Sequence, residues 1–305
     1  MSLLQYKKYL WLVDTIRSAG KISKEEIDRR WRNSSINENH DSKISDSTFF
    51  RNINEVESLF DIEILCDRTN GVYYLNDKDI NSKTKQWLLS QFSLSQSLDT
   101  SRELRDDIIY EPIPEGTEYL TTIVEAMKES RLLHVSHLRF DSKEPPHCFY
   151  LAPLCLKVFK QRWYVLGMVE EYDGQHEAPN EPRIYALDRV GKLELMERHF
   201  KRPKNFDSHA YFAQFYGVFC GKQYKPEFIR ARLQPLAAKF LRSLPLHSSQ
   251  KEVEECVFEW YVAPTLDFIQ QLRTYGSELE VLAPKSLREQ FAEEAGRLVQ
   301  TYLDR

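Results

Sequence analysis

KQRWYVLGMVEE, residues 160–171, decides how the middle of this chain folds. Its aromatic and β-branched residues mark a strand, but a half-buried strand alternates apolar with polar residues, and this one does not. With side chains alternating across a sheet, Trp163, Val165 and Val169 take one face and Tyr164, Leu166 and Met168 the other. Both faces are apolar. One then fills a core, and the other lies under a helix or a bound ligand.

Four more strand-like runs surround it: RLLHVSHLRF (131–140), CFYLAPLCLKVF (148–159), RIYALDRV (183–190) and KLELMERHF (192–200). Five short strands with short connections predict a small barrel. A helix is expected before them over residues 117–130, with Leu120, Ile123, Val124 and Met127 on one face. YEPIPEG, residues 110–116, punctuates the chain ahead of that helix.

Residues 1–80 read differently. Tyr6, Tyr9, Leu10, Val13 and Ile16 recur at helical spacing and predict a helix over 3–19. Ser23 and Glu26 have the spacing of a capping box, with Ile22 and Ile27 as its hydrophobic staple, so a second helix starts at Ser23 and runs to about Arg32. Ser45 caps a third, which turns Phe49, Ile53, Val56 and Phe60 inward and Ser47, Thr48, Arg51, Asn54 and Glu55 outward. Two short strands then meet across Asn70-Gly71. Three helices and a hairpin are the order of a winged helix-turn-helix, whose third helix enters the DNA major groove. Ser47, Thr48, Arg51 and Asn54 are the candidates for base edges and phosphates. Against this, residues 1–80 carry 12 basic and 14 acidic side chains, as an ordinary small domain does. Between the two regions, residues 81–116 read as a helical linker around Trp87, Leu88, Leu89, Phe92 and Leu94.

Beyond residue 206 the chain alternates strands (PEFIRARLQ, ECVFEWYVA, ELEVL) with helices (PLAAKFLRSLP, PTLDFIQQLRTYG, PKSLREQFAEEAGRLVQTYL). Prolines 235, 264 and 284 stand at helix starts and Gly276 at a helix end. The pattern predicts a ferredoxin-like α+β domain over 206–305.

Composition narrows the function. A net charge of −4 gives no overall basicity, so any nucleic-acid surface is local. Only 10 glycines occur and no glycine-rich phosphate loop is present. The five cysteines include no C-x-x-C pair, which predicts reduced thiols in the cytoplasm, no metal and no cofactor. Lys7, Lys8, Asp14 and Arg17 interrupt what would be a signal peptide's apolar core, and no run is long enough to span a membrane. The best case for an enzyme is the cluster His134, His137, His147 and Cys148. His134 and His137 are three apart and fall on opposite faces of a strand, and nothing activates Cys148. No catalytic residue is assigned.

PLCLKVFKQRWYVLGMVEE (153–171) followed by YALDRV (185–190) resembles the WYL-domain family of bacterial transcriptional regulators, with Trp163, Tyr164 and Val165 in place of its Trp-Tyr-Leu triplet. The upstream SDSTFFRNINEV (45–56) fits as well. The resemblance implies an Sm-like, SH3-like barrel over 117–205 that senses a nucleic-acid or nucleotide effector, and a homodimer that binds a double-stranded operator. It assigns Tyr164 and Arg189 to the ligand pocket and places His137 where many members have a tyrosine. Strand alternation puts Arg183, Tyr185, Leu187 and Arg189 on one face, and Lys157 and Arg162 extend the patch beside Tyr164. Cations interleaved with aromatics suit a stacked base and its phosphate. A plainer reading pairs Arg189 with Asp188 or Glu170 and leaves Tyr164 in the core. The runner-up function is a sensor of single-stranded nucleic acid or a nucleotide that acts through protein partners without recognising an operator.

Overall fold

The computed structural model describes residues 3–34, 36–37, 43–76, 116–139, 143, 145–172 and 179–303. They fall into two units, one within Met1–Glu111 and one within Pro112–Arg305. The linker helix expected around Trp87 lies outside the described residues, as does most of the boundary at 110–116.

In the first unit the order is α1 (Leu3–Ala19), β1 (Ile22–Ser23), α2 (Lys24–Arg32), α3 (Asp46–Phe60), β2 (Ile64–Asp67) and β3 (Val72–Leu75). Two serines start the helices. Ser23 Oγ accepts the Glu26 N–H at 3.3 Å and Ser45 Oγ the Thr48 N–H at 3.4 Å, each satisfying a donor that the first turn leaves without an intrahelical partner. Val13 and Ile16 of α1, Ile27 and Trp31 of α2, and Phe49 and Val56 of α3 share one core with Ile64 and Leu75. The sheet has one strand more than the sequence suggests. Ile22, expected only as a staple, also pairs with Tyr73, giving the order β1-β3-β2.

The second unit opens with a 3₁₀ turn (Thr117–Tyr119) and α4 (Leu120–Glu129). Five antiparallel strands follow: β4 (Arg131–His137), β5 (His147–Phe159), β6 (Arg162–Tyr172), β7 (Arg183–Ala186) and β8 (Val190–His199). Their order is β7-β6-β5-β4-β8, so the edge strands are consecutive in sequence and a 3₁₀ turn, Leu187–Arg189, joins them. Inside lie Phe149, Leu151, Val165, Val169 and Leu187, covered by Ile123 and Ala126 of α4. Val124, expected on that inward face, points to solvent at 53% exposure. Lys160 and Gln161 form the β5–β6 turn with φ of 47° and 63°. Paired positive φ values are those of the tight hairpin turn that matches strand twist.

Both faces of β6 are buried, as its composition requires: Val165 and Val169 on one side, Tyr164 and Leu166 on the other. The second covering is protein. Residues 200–219, including the short helix α5 (Ser208–Phe212), fold back on β5 and β6. Arg202 Nη2 donates to the Leu154 carbonyl at 3.0 Å, Lys157 Nζ to the Gly217 carbonyl at 2.5 Å, and Phe159 meets Tyr216 edge to face at 5.4 Å.

The remainder is β9 (Glu227–Leu233), α6 (Pro235–Ser243), β10 (Lys251–Glu254), β11 (Val257–Val262), α7 (Leu266–Arg273), β12 (Leu279–Ala283) and α8 (Lys285–Leu303), with sheet order β10-β11-β9-β12. Trp260 fills the core and satisfies its indole N–H on Gln250 Oε1 at 3.0 Å. The run ECVFEWYVA is one strand in the sequence reading and half of a hairpin in the structure. Its partner β10 is exposed along its whole length, so no apolar pattern marked it. Gly276 does not cap α7, whose C-cap is Thr274; with φ +54 it begins a separate 3₁₀ turn.

Candidate functional site

A cleft of about 270 Å³ opens at the edge of the five-stranded sheet, lined by His137, Arg162, Tyr164, Ile184, Ala186, Arg189, Val218 and Phe219. Four of the six proposed ligand residues therefore meet, and the 3₁₀ turn is the reason. Strand alternation would have kept Arg183, Tyr185, Leu187 and Arg189 together. Regular pairing stops at Ala186, and the turn rotates each later side chain in a different direction. Leu187 enters the core, Asp188 reaches Arg162, and Arg189 enters the cleft wall. The backbone of Gly116 lies against this turn so closely that a Cβ there would sit 2.4 Å from the Leu187 carbonyl carbon.

The other two, Arg183 and Lys157, do not join. Arg183 stays on its strand, exposed, and pairs with Glu181 at 3.1 Å. Its strand neighbour Tyr185 is spent on the core, stacked on Phe149 at 4.4 Å. Lys157 sits across the ladder from Tyr164, but its ammonium turns away to the Gly217 carbonyl and the Phe212 ring, 3.9 Å from its centroid. Burial pulls its pKa down to about 8.

Arg162 makes a two-point contact with Asp188, Nη2 to Oδ2 at 2.7 Å and Nε to Oδ1 at 3.3 Å, with its guanidinium 5.7 Å from the centre of the Tyr164 ring. Arg189, which the plainer reading pairs with Asp188 or Glu170, donates to the Leu138 carbonyl. Burial and then the neighbouring Arg162 push its pKa down, against the opposing pull of Asp188. Tyr164 is only 8% exposed, and burial raises its pKa, so its hydroxyl stays protonated.

His137 is the most perturbed group in the cleft. Burial first and Arg189 second bring its pKa down to about 4, against the pull of a hydrogen bond to the Ala186 backbone. The ring is neutral at physiological pH. Its Nε2 is buried and has no hydrogen-bond partner among the described residues, which assigns the Ala186 bond to Nδ1–H and leaves Nε2 an acceptor. A buried acceptor beside two guanidinium groups suits a ligand with an N–H edge and an anionic group.

Val218 and Phe219 were missed because residues 206–226 carry no strand or helix periodicity of note. Asp267, at the start of α7, holds them: its Oδ2 accepts the Val218 N–H at 2.6 Å and the Phe219 N–H at 3.0 Å.

On the first unit, Ser47, Arg51 and Asn54 are exposed on the outward face of α3, and Thr48 is half-buried. The Thr48 hydroxyl accepts a hydrogen bond from Ser45 Oγ at 2.8 Å, so it is partly used in capping. At the hairpin tip Arg68 is also exposed, a cation that no helical pattern singles out.

Residues 118–195 match the family model described as the WYL domain, and residues 225–299 that of the WCX domain. The chain carries a WYL domain followed by a WCX domain. Every cleft residue but Val218 and Phe219 lies in the WYL domain; those two fall in the segment between the matches. No curated protein matches the chain. Among solved structures, proteasome accessory factor B/C (PafBC) of Arthrobacter aurescens is 18% identical over 59% of this chain, with a TM-score of 0.28. The chain spans 26% of that protein's length. A CRISPR Cas-related protein is 12% identical, with 100% of this chain and 87% of that one covered and a TM-score of 0.42. No described helix is long and apolar enough to cross a membrane.

Proposed function

We propose that this chain is a cytoplasmic, homodimeric transcriptional regulator that binds a double-stranded operator and responds to a nucleic-acid or nucleotide effector held in the WYL cleft. The observation that carries the reading is the convergence of His137, Arg162, Tyr164 and Arg189 on one cleft inside the WYL match. Two cations, an acceptor and an aromatic ring are a set that a base with its phosphate can satisfy. In this reading the chain binds and does not catalyse.

The element orders support it. A helix, strand, helix, helix and hairpin with sheet order β1-β3-β2 suit a winged helix-turn-helix with α3 as the reader. Consecutive edge strands joined by a 3₁₀ turn suit an Sm-like, SH3-like barrel, and the β-α-β-β-α-β order from β9 to β12 suits a ferredoxin-like domain. For a two-fold dimer the half-sites lie roughly 10 base pairs apart or a multiple of that.

The test is a titration of the purified chain against its own promoter at fixed salt. Binding no tighter than to random DNA removes the operator reading. One observation favours the runner-up, a sensor that acts through protein partners: Glu55 shares the outward face of α3, and Glu57, two residues on, is also exposed. Footprinting on the promoter separates the two.

A further inference from the structure

Phe219 is a large apolar side chain at the rim of the cleft, left 41% exposed on a backbone that is held from two sides. Asp267 is one side. Its carboxylate is buried, and besides the Val218 and Phe219 amides it takes the Thr265 hydroxyl at 2.5 Å and its own neighbour's amide, Phe268 N–H, at 2.9 Å. Lys157 is the other, through the Gly217 carbonyl at 2.5 Å. Between them Gly217 has no room: a Cβ there would stand 2.1 Å from Asp267 Oδ2 and 2.7 Å from Phe159 Cζ. A buried carboxylate that accepts several N–H and O–H groups is a costly way to arrange an ordinary surface loop. It fixes the place of the residue that follows.

We infer that Phe219 is the stacking platform of the cleft and that Asp267, in the WCX domain, is the positioning residue that holds it there. Resting on the reading of the cleft as an effector site, this specifies the ligand: a planar ring against Phe219, with its N–H edge toward His137 Nε2 and its anionic group toward Arg189. The C-terminal domain then selects for the base, while the arginines of the barrel serve the phosphate.

The experiment uses the full chain and two fluorescein-labelled probes of equal length, an oligothymidylate and the corresponding abasic deoxyribose-phosphate chain. Phe219→Ala is expected to weaken the oligothymidylate about 5- to 150-fold, the worth of one stacked base, and to leave the abasic chain bound as before. Phe219→Trp restores the preference for the base. Asp267→Asn, checked for an intact thermal transition, lowers the same preference without altering abasic binding, which a loss of general stability would not do. Arg189→Ala weakens both probes.

If Arg189→Ala weakens both probes and Phe219→Ala binds the oligothymidylate as wild type does, the stacking assignment is overturned and the effector cleft stands. If Phe219→Ala weakens both probes equally, Phe219 is structural and the assignment is again overturned. If the wild type binds neither probe, or Arg189→Ala binds both unchanged, the cleft reading itself fails.

Discussion

The outward face of α3 and the cleft under Arg189 are both proposed to meet nucleic acid, and they are built in opposite ways. Ser47, Arg51 and Asn54 sit within eight residues of one helix, exposed, and their arrangement follows from helical geometry alone. The cleft collects His137, Arg162, Arg189 and Phe219 from elements spread over more than eighty residues, and a 3₁₀ turn, a tight hairpin and a buried aspartate set their places. Truncating one side chain on the helix face subtracts only its own contribution. Truncating one in the cleft also frees its neighbours, because Asp188 and Arg162 share a bond and Arg162 acts on Arg189.

Substitutions can break this comparison. The largest effect is expected from Arg189→Ala. Hydrogen bonds to a charged group are worth about 1.5–3 kcal/mol, so oligothymidylate binding in a fluorescence titration falls about 10- to 150-fold. Operator affinity stays near wild type, and a fall in it would show the two sites are not separable in this way. Next is Arg51→Ala, which is expected to cost about 1–3 kcal/mol of operator affinity if Arg51 grips a base edge, with no change in oligothymidylate binding. Competition with random DNA decides its role. A loss that is uniform across sequences, with a salt slope lower by about 1, would assign Arg51 to phosphate instead.

The same contrast governs what the sequence could reveal. The serine caps, the helix faces and the two-sided burial of β6 are local, and periodicity exposed them. The cleft was half legible. Alternation placed Tyr164 correctly relative to Val165, but it failed at Leu187–Arg189, where the backbone leaves the strand and alternation no longer applies. Strand alternation groups Arg183 with the site and charge beside Tyr164 groups Lys157; the first is paired at the surface with Glu181 and the second is consumed in holding Gly217. Phe219 had no local signal. Its place depends on Asp267, nearly fifty residues later, and a hydrogen bond over that distance leaves no trace in a spacing pattern.

The smallest expected effect concerns acid, and it tests whether the cleft is as closed as the helix face is open. In the folded chain, burial and Arg189 hold His137 neutral down to about pH 4, whereas in the unfolded chain the ring gains its proton near the ordinary 6.5. Between those values the unfolded state binds more protons, so the native state loses stability as the pH falls from 6.5 toward 4 and keeps it fully above 6.5. His137 is only partly buried as a residue, which reduces the loss to on the order of 1 kcal/mol or less. Urea midpoints of the wild type and of His137→Gln, measured across that range, should separate as the pH drops, with the wild type falling faster. Parallel curves would mean the ring is solvated in both states, and the cleft would then be as open as the face of α3.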